Sequence, residues 1–156
     1  MKGKDEVLTV LGDLLANELT ATNQYLLHGK TCDNWGFHRL GDKLVEEASG
    51  EREHADKLIE RILFLEGTPD LQRYHTVQAG ATVKDLLELD LQMEYAAIAA
   101  LNDGIAKCRA NGDNGTEDLL TRILVAEQDD TNWIEAQLEL IRQLGEQNYL
   151  AQQLRG

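Results

Sequence analysis

Four long stretches of this chain have apolar residues at helical spacing, and each stretch has a glutamate in the middle of its apolar stripe. The four residues are Glu18, Glu51, Glu94 and Glu127. At about 100° per residue, the apolar neighbours of each glutamate lie on the same helix face. A buried carboxylate without a partner is costly. The fold therefore has to bury four apolar stripes and also provide partners for four acids.

The apolar periodicity predicts an all-α fold with four long helices and one short helix. The predicted ranges are 5–32, 37–65, 82–110 and 116–144, with the fifth helix in "EQNYLAQQL", 146–154. Gly67, Pro69 and Gly80 mark a loop over 66–81. Short connections make neighbouring helices antiparallel, and the longer loop is able to cross the bundle. This pattern predicts a four-helix bundle with one long crossover, as a single domain over 1–156.

Charge, apolar run length and cysteine count argue against several classes of partner and location. A formal net charge of −13 argues against nucleic acid or an anionic membrane as the main partner. No apolar run is long enough to span a bilayer, and "MKGKDEVLTVLGDLL" lacks the features of a secretory signal. Cys32 and Cys108 are too few for a disulfide framework and lack zinc-site spacing. These features predict a cytoplasmic protein with reduced thiols.

The spacing of the four glutamates repeats. Glu18 and Glu51 are 33 residues apart, and so are Glu94 and Glu127. Glu18 precedes Glu94 by 76 residues, and Glu51 precedes Glu127 by the same number. Glu51 is followed three residues later by His54, and Glu127 in the same way by Asp130. Each half of the chain thus has a lone glutamate and then a Glu-x-x-ligand pair.

This repeat predicts a dinuclear metal centre. A single Glu-x-x-His is a weak signal, and a lone charge on an apolar stripe is usually an edge position whose head reaches water. Four converging carboxylates, however, repel one another unless cations neutralise them, and divalent metal is the simplest solution. Di-iron carboxylate bundles use such a ligand set. The candidate ligands and catalytic residues are Glu18, Glu51, His54, Glu94, Glu127 and Asp130.

The chain also resembles the bacterioferritin family over nearly its whole length. The stretches that carry the resemblance are "NQYLLH" (23–28), "NWGF" (34–37), "HAD" (54–56), "IERILFLEGTPDLQ" (59–72) and "LIRQLGEQNYLAQQL" (140–154). The resemblance implies a ferritin-like up-down bundle that stores and detoxifies iron. It implies oxidation of Fe(II) to Fe(III) by O2 or H2O2, and a homo-oligomeric hollow shell of roughly 24 copies.

The resemblance assigns a role to each ligand. Glu51 and Glu127 match bridging carboxylates, Glu18 and Glu94 match terminal ligands, and His54 completes one iron site. Position 130 departs from the family, which has a second histidine there. With His54 neutral, four glutamates balance two Fe(II) ions, so Asp130 adds one negative charge. We expect this charge to favour Fe(III), whereas the shorter side chain reaches less far. The prediction is a retained but altered ferroxidase, and the alternative is a ferroxidase-impaired shell subunit.

Arg52 is a second departure. The family binds haem b between two subunits through a methionine at this position, and arginine cannot donate to haem iron. The only methionines of the chain are Met1 and Met93. Met93 lies about 100° around its helix from Glu94 and is better explained by packing. The sequence predicts no haem b held by two methionines in a homo-oligomer, and weak or differently ligated haem is one alternative. A shell mixed with a haem-binding bacterioferritin subunit is another.

Other readings remain open. Another di-iron oxidase or peroxidase is a third possibility, although the Cys-x-x-Cys iron domain of rubrerythrins is absent. Tyr25 and Trp133 either carry electrons or fill the core. Asp90 also faces the apolar stripe of its helix. It is either a partner of a metal ligand or an iron site on the inner surface of the shell. His28, which has no paired spacing, is predicted to be a surface or structural residue.

Overall fold

The computed structural model describes residues 1–155, and the only regular elements in that range are five α-helices. They are α1 (Asp5–Asn34), α2 (His38–Phe64), α3 (Val83–Ala110), α4 (Asn114–Leu144) and α5 (Glu146–Ala151). The predicted all-α bundle with one long crossover is confirmed. The α5 helix ends three residues before the predicted 154, and the predicted domain end at residue 156 lies outside the described residues.

Side chains and backbone geometry explain where the later helices begin and end. At the start of α3, Thr82 Oγ1 accepts a hydrogen bond of 3.1 Å from the backbone N–H of Asp85. At the start of α4, Asp113 Oδ1 accepts one of 3.0 Å from the N–H of Thr116. Both are N-caps that satisfy otherwise free helix donors. The α4 helix stops at Gly145, whose φ of 82° few other residues adopt.

The helices pack as two hairpins. The α1 helix runs along α2 and α3 runs along α4, while contacts between α1 and α3 contribute most to joining the hairpins. The backbones of α1 and α2 approach closely, because a Cβ on Gly41 would lie 2.8 Å from the carbonyl oxygen of Gly29. The crossover from 65 to 82 connects the hairpins and passes over α1.

The core consists of two apolar clusters with the four glutamates between them. One cluster contains Leu11, Leu14, Leu15, Leu58, Ile62, Leu101, Leu120 and Ile123. The other contains Tyr25, Leu40, Leu44, Leu86, Leu87, Ile134 and Tyr149. In each long helix the central glutamate follows residues of one cluster and precedes residues of the other. The carboxylates thus form a polar layer across the middle of the bundle.

No helix within residues 1–155 combines the length and the apolar character that crossing a membrane requires.

Candidate metal centre

All six predicted ligands come together in the polar layer between the two apolar clusters. The four glutamates are almost completely buried, with at most 3% of their surface exposed, while His54 and Asp130 are partly buried. Their ligand atoms form two overlapping groups, and within each group all atoms lie within 4.8 Å of one another. One group is Glu18, Glu51, His54 and Glu127, and the other is Glu51, Glu94, Glu127 and Asp130.

Glu51 and Glu127 belong to both groups. This is the placement that two bridging carboxylates between two cations require. Glu18 occurs only in the first group and Glu94 only in the second, as terminal ligands would. The geometry is compatible with a dinuclear site, although assignment of the six residues as ligands remains a prediction.

His54 and Tyr25 hold the carboxylates in place. His54 Nδ1 lies 2.9 Å from Glu127 Oε1 and 3.6 Å from Glu18 Oε2. The Tyr25 hydroxyl donates a short hydrogen bond to Glu94 Oε1, and Tyr25 is itself fully buried. Tyr25 is therefore both a core residue, as one of the two readings expected, and a direct partner of a predicted ligand.

Each of the four glutamates has a buried oxygen without a hydrogen-bond partner among the described residues. These atoms are Glu18 Oε2, Glu51 Oε1, Glu94 Oε2 and Glu127 Oε2. An unsatisfied buried acceptor costs about 1–3 kcal/mol, and more when it is charged. Hard carboxylate oxygens together with one imidazole suit divalent iron, so the residues present fit a di-iron site. Cations would satisfy all four oxygens at once.

Protons compete with metal ions for the carboxylates and the imidazole of this centre. Burial opposes the charge of His54, but hydrogen bonds to Glu127 and Glu18 and their negative charge raise its pKa to about 10. Burial and the negative charge of neighbouring Glu127 raise the pKa of Glu94 to about 12. The pKa of Glu127 is lowered despite its burial, because protons on neighbouring Glu94 and His54 stabilise its negative charge. Metal ions have to displace these protons in order to bind.

Asp130 occupies a more open position than the glutamates and has an unexpected neighbour, Glu47. Burial and the negative charge of neighbouring Glu47 raise the pKa of Asp130 to about 8. Glu47 is 9% exposed, and its Oε1 lies 2.9 Å from Lys43 Nζ. Lys43 Nζ in turn lies 5.3 Å from the centre of the Trp133 ring. Glu47 is not among the predicted site residues, although it precedes Glu51 by one helical turn and that spacing could have indicated it.

A cavity of about 370 Å³ leads to the glutamates from the side of α1 and α3. The crossover contributes one wall through His75, Thr76 and Gln78, which are at the surface or close to it. The four glutamates of the polar layer line the inner end. Periodicity could not predict this wall, because the crossover has no regular secondary structure.

Asp90 is completely buried and belongs to neither group of candidate ligands. Its Oδ1 accepts from Gln24 and contacts His28 Nδ1 at 2.8 Å. Neither of the two readings of Asp90 holds, because burial removes the carboxylate from any surface and its hydrogen-bond partners are not among the six predicted ligands. His28 is structural rather than exposed, with 0% of its surface accessible.

Comparison with known proteins agrees with the geometry. The family model of the ferritin-like domain matches residues 8–144. A bacterial ferritin of Synechocystis sp. is 44% identical over 155 residues, which are 99% of each chain. A bacterioferritin of Mycobacterium tuberculosis is 41% identical over 97% of this chain and 96% of the relative. A bacterial ferritin of Pseudomonas aeruginosa is 42% identical over 99% of this chain and 100% of the relative. The chain belongs to the bacterioferritin family. The resemblance noted in the sequence is thus confirmed.

At the position where the bacterioferritin resemblance implies a haem-ligating methionine, this chain has an exposed arginine. Arg52 Nε lies 3.2 Å from Asp56 Oδ1, one turn further along α2. Met93 packs partly buried against the apolar cluster around Tyr25 and Leu87, as its position on the helix predicted. The absence of haem b from a homo-oligomer remains a prediction.

Proposed function

We propose that this chain is an iron-storage protein that oxidises Fe(II) to Fe(III) at a dinuclear centre within a single ferritin-like domain. The observation that carries the proposal is the convergence of four buried glutamates, each with an unpartnered oxygen, beside His54. Relatives covering nearly the whole chain are named bacterioferritin or bacterial ferritin, which supports iron storage. The established class of chemistry for such a site is redox chemistry of iron held by carboxylates.

In this proposal Fe(II) is the substrate, and the six residues are both metal ligands and catalytic residues. Glu51 and Glu127 bridge two Fe(II) ions. Glu18 and His54 complete one site, and Glu94 and Asp130 complete the other, as in the two groups that the structure brings together. Each iron loses one electron. O2 takes up the two electrons and two protons to give H2O2, or H2O2 takes them up with two protons to give two waters.

Assembly and cellular location are parts of the same proposal. About 24 copies form a closed homo-oligomeric shell, the usual symmetric route to a hollow particle. Ferric mineral accumulates inside, and the shell resides in the cytoplasm without a nucleic-acid or membrane partner. Haem b is absent from the homo-oligomer, and a mixed shell with a haem-binding bacterioferritin subunit would supply it.

An aerobic titration of the metal-free recombinant protein with Fe(II) tests this function. Ferric absorbance should rise rapidly up to about two irons per chain and then more slowly as mineral grows. Glu94→Gln should abolish the rapid phase. Glu88→Gln, an exposed change on the same helix, is the matched control and should leave it intact. A parent protein that assembles without any rapid phase would contradict the ferroxidase part of the proposal.

Asp130 favours a second candidate function, a ferroxidase-impaired shell subunit. Its carboxyl is only partly buried, and its pKa of about 8, raised by burial and by Glu47, keeps a proton on the group at neutral pH. A protonated aspartic acid is a poor metal ligand. Shell assembly and mineral growth without a rapid two-iron phase would favour this candidate.

A further inference from the structure

Three polar side chains of α1, spaced four residues apart, tie the crossover to the bundle. Each accepts a hydrogen bond from a backbone N–H of the crossover. The pairs are Thr20 Oγ1 with His75 at 2.9 Å, Gln24 Oε1 with Gln78 at 3.1 Å, and His28 Nε2 with Gly80 at 3.1 Å. Residues 68–81 make no backbone–backbone hydrogen bond within the described chain. Their position therefore depends strongly on these three acceptors.

Asp90 orients two of the three acceptors. Its Oδ1 accepts from Gln24 Nε2 at 2.9 Å and lies 2.8 Å from His28 Nδ1. Because His28 Nε2 accepts from the crossover, the proton of the neutral ring is on Nδ1 and points at Asp90. Gln24, likewise, can present its oxygen to the crossover only while its NH2 group faces Asp90. Gln24, His28 and Asp90 are at most 2% exposed.

The part of the crossover that these bonds hold is also a wall of the cavity that leads to the metal centre. His75, Thr76 and Gln78 line the cavity, and so do Gln24 and Thr20 from α1. The other lining residues belong to α1, α2, α3 and α4, which have their own helical hydrogen bonds. The crossover is thus the wall of the cavity whose position is set by hydrogen bonds to side chains.

We propose that Asp90 is a positioning residue that controls access to the metal centre. Through Gln24 and His28 it holds the backbone of Gln78 and Gly80 in the crossover, and so sets the opening through which a hydrated divalent cation reaches the glutamates. Asp90 contacts none of the six predicted ligands by hydrogen bond, so it acts on the entry of the cation rather than on the final coordination. The inference rests on the proposed function, because it requires a cation-binding centre at the end of the cavity.

Two substitutions at position 90 separate this role from a general effect on folding. Only Oδ1 of Asp90 is bonded, whereas Oδ2 has no partner in the part of the chain that the structure describes. Asp90→Asn keeps an oxygen for both donors and should behave like the parent. Asp90→Leu keeps the size but removes the acceptor. Asp103→Leu, an exposed change on the same helix, is the matched control.

Two measurements on the assembled, metal-free protein test the inference. Hydrogen exchange of the peptide covering 73–82 should accelerate roughly tenfold in Asp90→Leu, since two hydrogen bonds lose their anchor. Stopped-flow absorbance under anaerobic conditions should show a changed rate of Co(II) association, with unchanged final stoichiometry. Both readouts should match the parent in Asp90→Asn and Asp103→Leu.

The outcomes are distinct. Unchanged exchange in Asp90→Leu overturns the positioning role, and faster exchange with an unchanged Co(II) rate overturns the access role. If Asp90→Leu does not assemble, Gln24→Met removes the acceptor that Asp90 orients towards Gln78 and should produce the same two effects. A parent protein that shows protected 73–82 amides but binds no Co(II) contradicts the proposed function instead, because the centre itself then fails.

Discussion

His54 on α2 and Glu127 on α4 face each other across the bundle, with Nδ1 and Oε1 2.9 Å apart. Glu127 belongs to both candidate cation groups, whereas His54 belongs to one. A proton on His54, whose pKa is raised to about 10 by its carboxylate partners against the effect of burial, provides positive charge beside the shared carboxylate. The metal-free centre is therefore stabilised by protons where the metal-loaded centre would be stabilised by cations.

Metal affinity should rise with pH, because metal ions replace protons at the centre. Burial raises the pKa of Asp130 to about 8, and the carboxylate partners of His54 raise its pKa to about 10 despite burial. Below these values the groups bind protons that a metal ion must displace, so the affinity falls as the pH is lowered. Calorimetric Co(II) titrations in two buffers of different ionisation enthalpy should show proton release at pH 7. Equal heats in the two buffers would contradict the prediction.

The metal-free protein should become less stable as the pH rises towards 8. Asp130 has a folded-state pKa of about 8 against an ordinary value of 3.8, so its protonated form is favoured in the native protein. A group of this kind stabilises the fold fully below 3.8 and loses that contribution as the pH rises through about 8. The Tm of the metal-free protein should fall between about pH 5 and pH 8, and a saturating divalent metal should reverse the fall. A Tm that rose over this range would contradict the assignment.

The helices and the central glutamates could be predicted because both depend on local spacing. Apolar residues at helical intervals gave α1 to α4 within two residues at each end, and the same spacing placed Glu18, Glu51, Glu94 and Glu127 in the polar layer. The prediction of α5 was less accurate at its C-terminal end, because six helical residues contain too few turns to define a periodicity.

Contacts between residues distant in sequence could not be predicted in the same way. His28 and Asp90 are 62 residues apart, and nothing in the spacing of either helix pairs them. The crossover wall of the cavity depends on backbone donors of an irregular segment, which leave no pattern in the side chains. Glu47 is intermediate, since its spacing from Glu51 was visible but its approach to Asp130 required the packing of α2 against α4.

Replacing Asp130 with histidine should strengthen the second metal position. Burial and the neighbouring Glu47 raise the pKa of Asp130 to about 8, so a metal ion has to displace its proton, whereas a neutral imidazole offers a nitrogen lone pair. It also reaches further than a carboxylate on one methylene. We expect the affinity of the weaker Co(II) site to increase by about tenfold, the lower end of the range by which changes at the partners of metal ligands alter affinity, and the Fe(II) oxidation kinetics to change. Asp129→His, at an exposed neighbouring position, is the control. Oxidation kinetics of Asp130→His that matched the parent would overturn the prediction that Asp130 alters the centre.

Substituting Arg52 should determine whether this shell binds haem. Arg52 is 67% exposed at its side chain and, among residues 1–155, is paired only with Asp56, 3.2 Å away, so its replacement leaves the core untouched. A methionine thioether is a ligand for haem iron, whereas a guanidinium has no lone pair to donate. The parent produced in haem-replete cells should therefore show no Soret band from bound haem, and Arg52→Met should bind about one haem per two chains if two copies meet at this position in the shell. Arg52→Gln removes the same charge without supplying a ligand, and it should remain free of haem. Stoichiometric haem in the parent or in Arg52→Gln would show that another residue ligates it, and the prediction of a haem-free homo-oligomer would then be wrong.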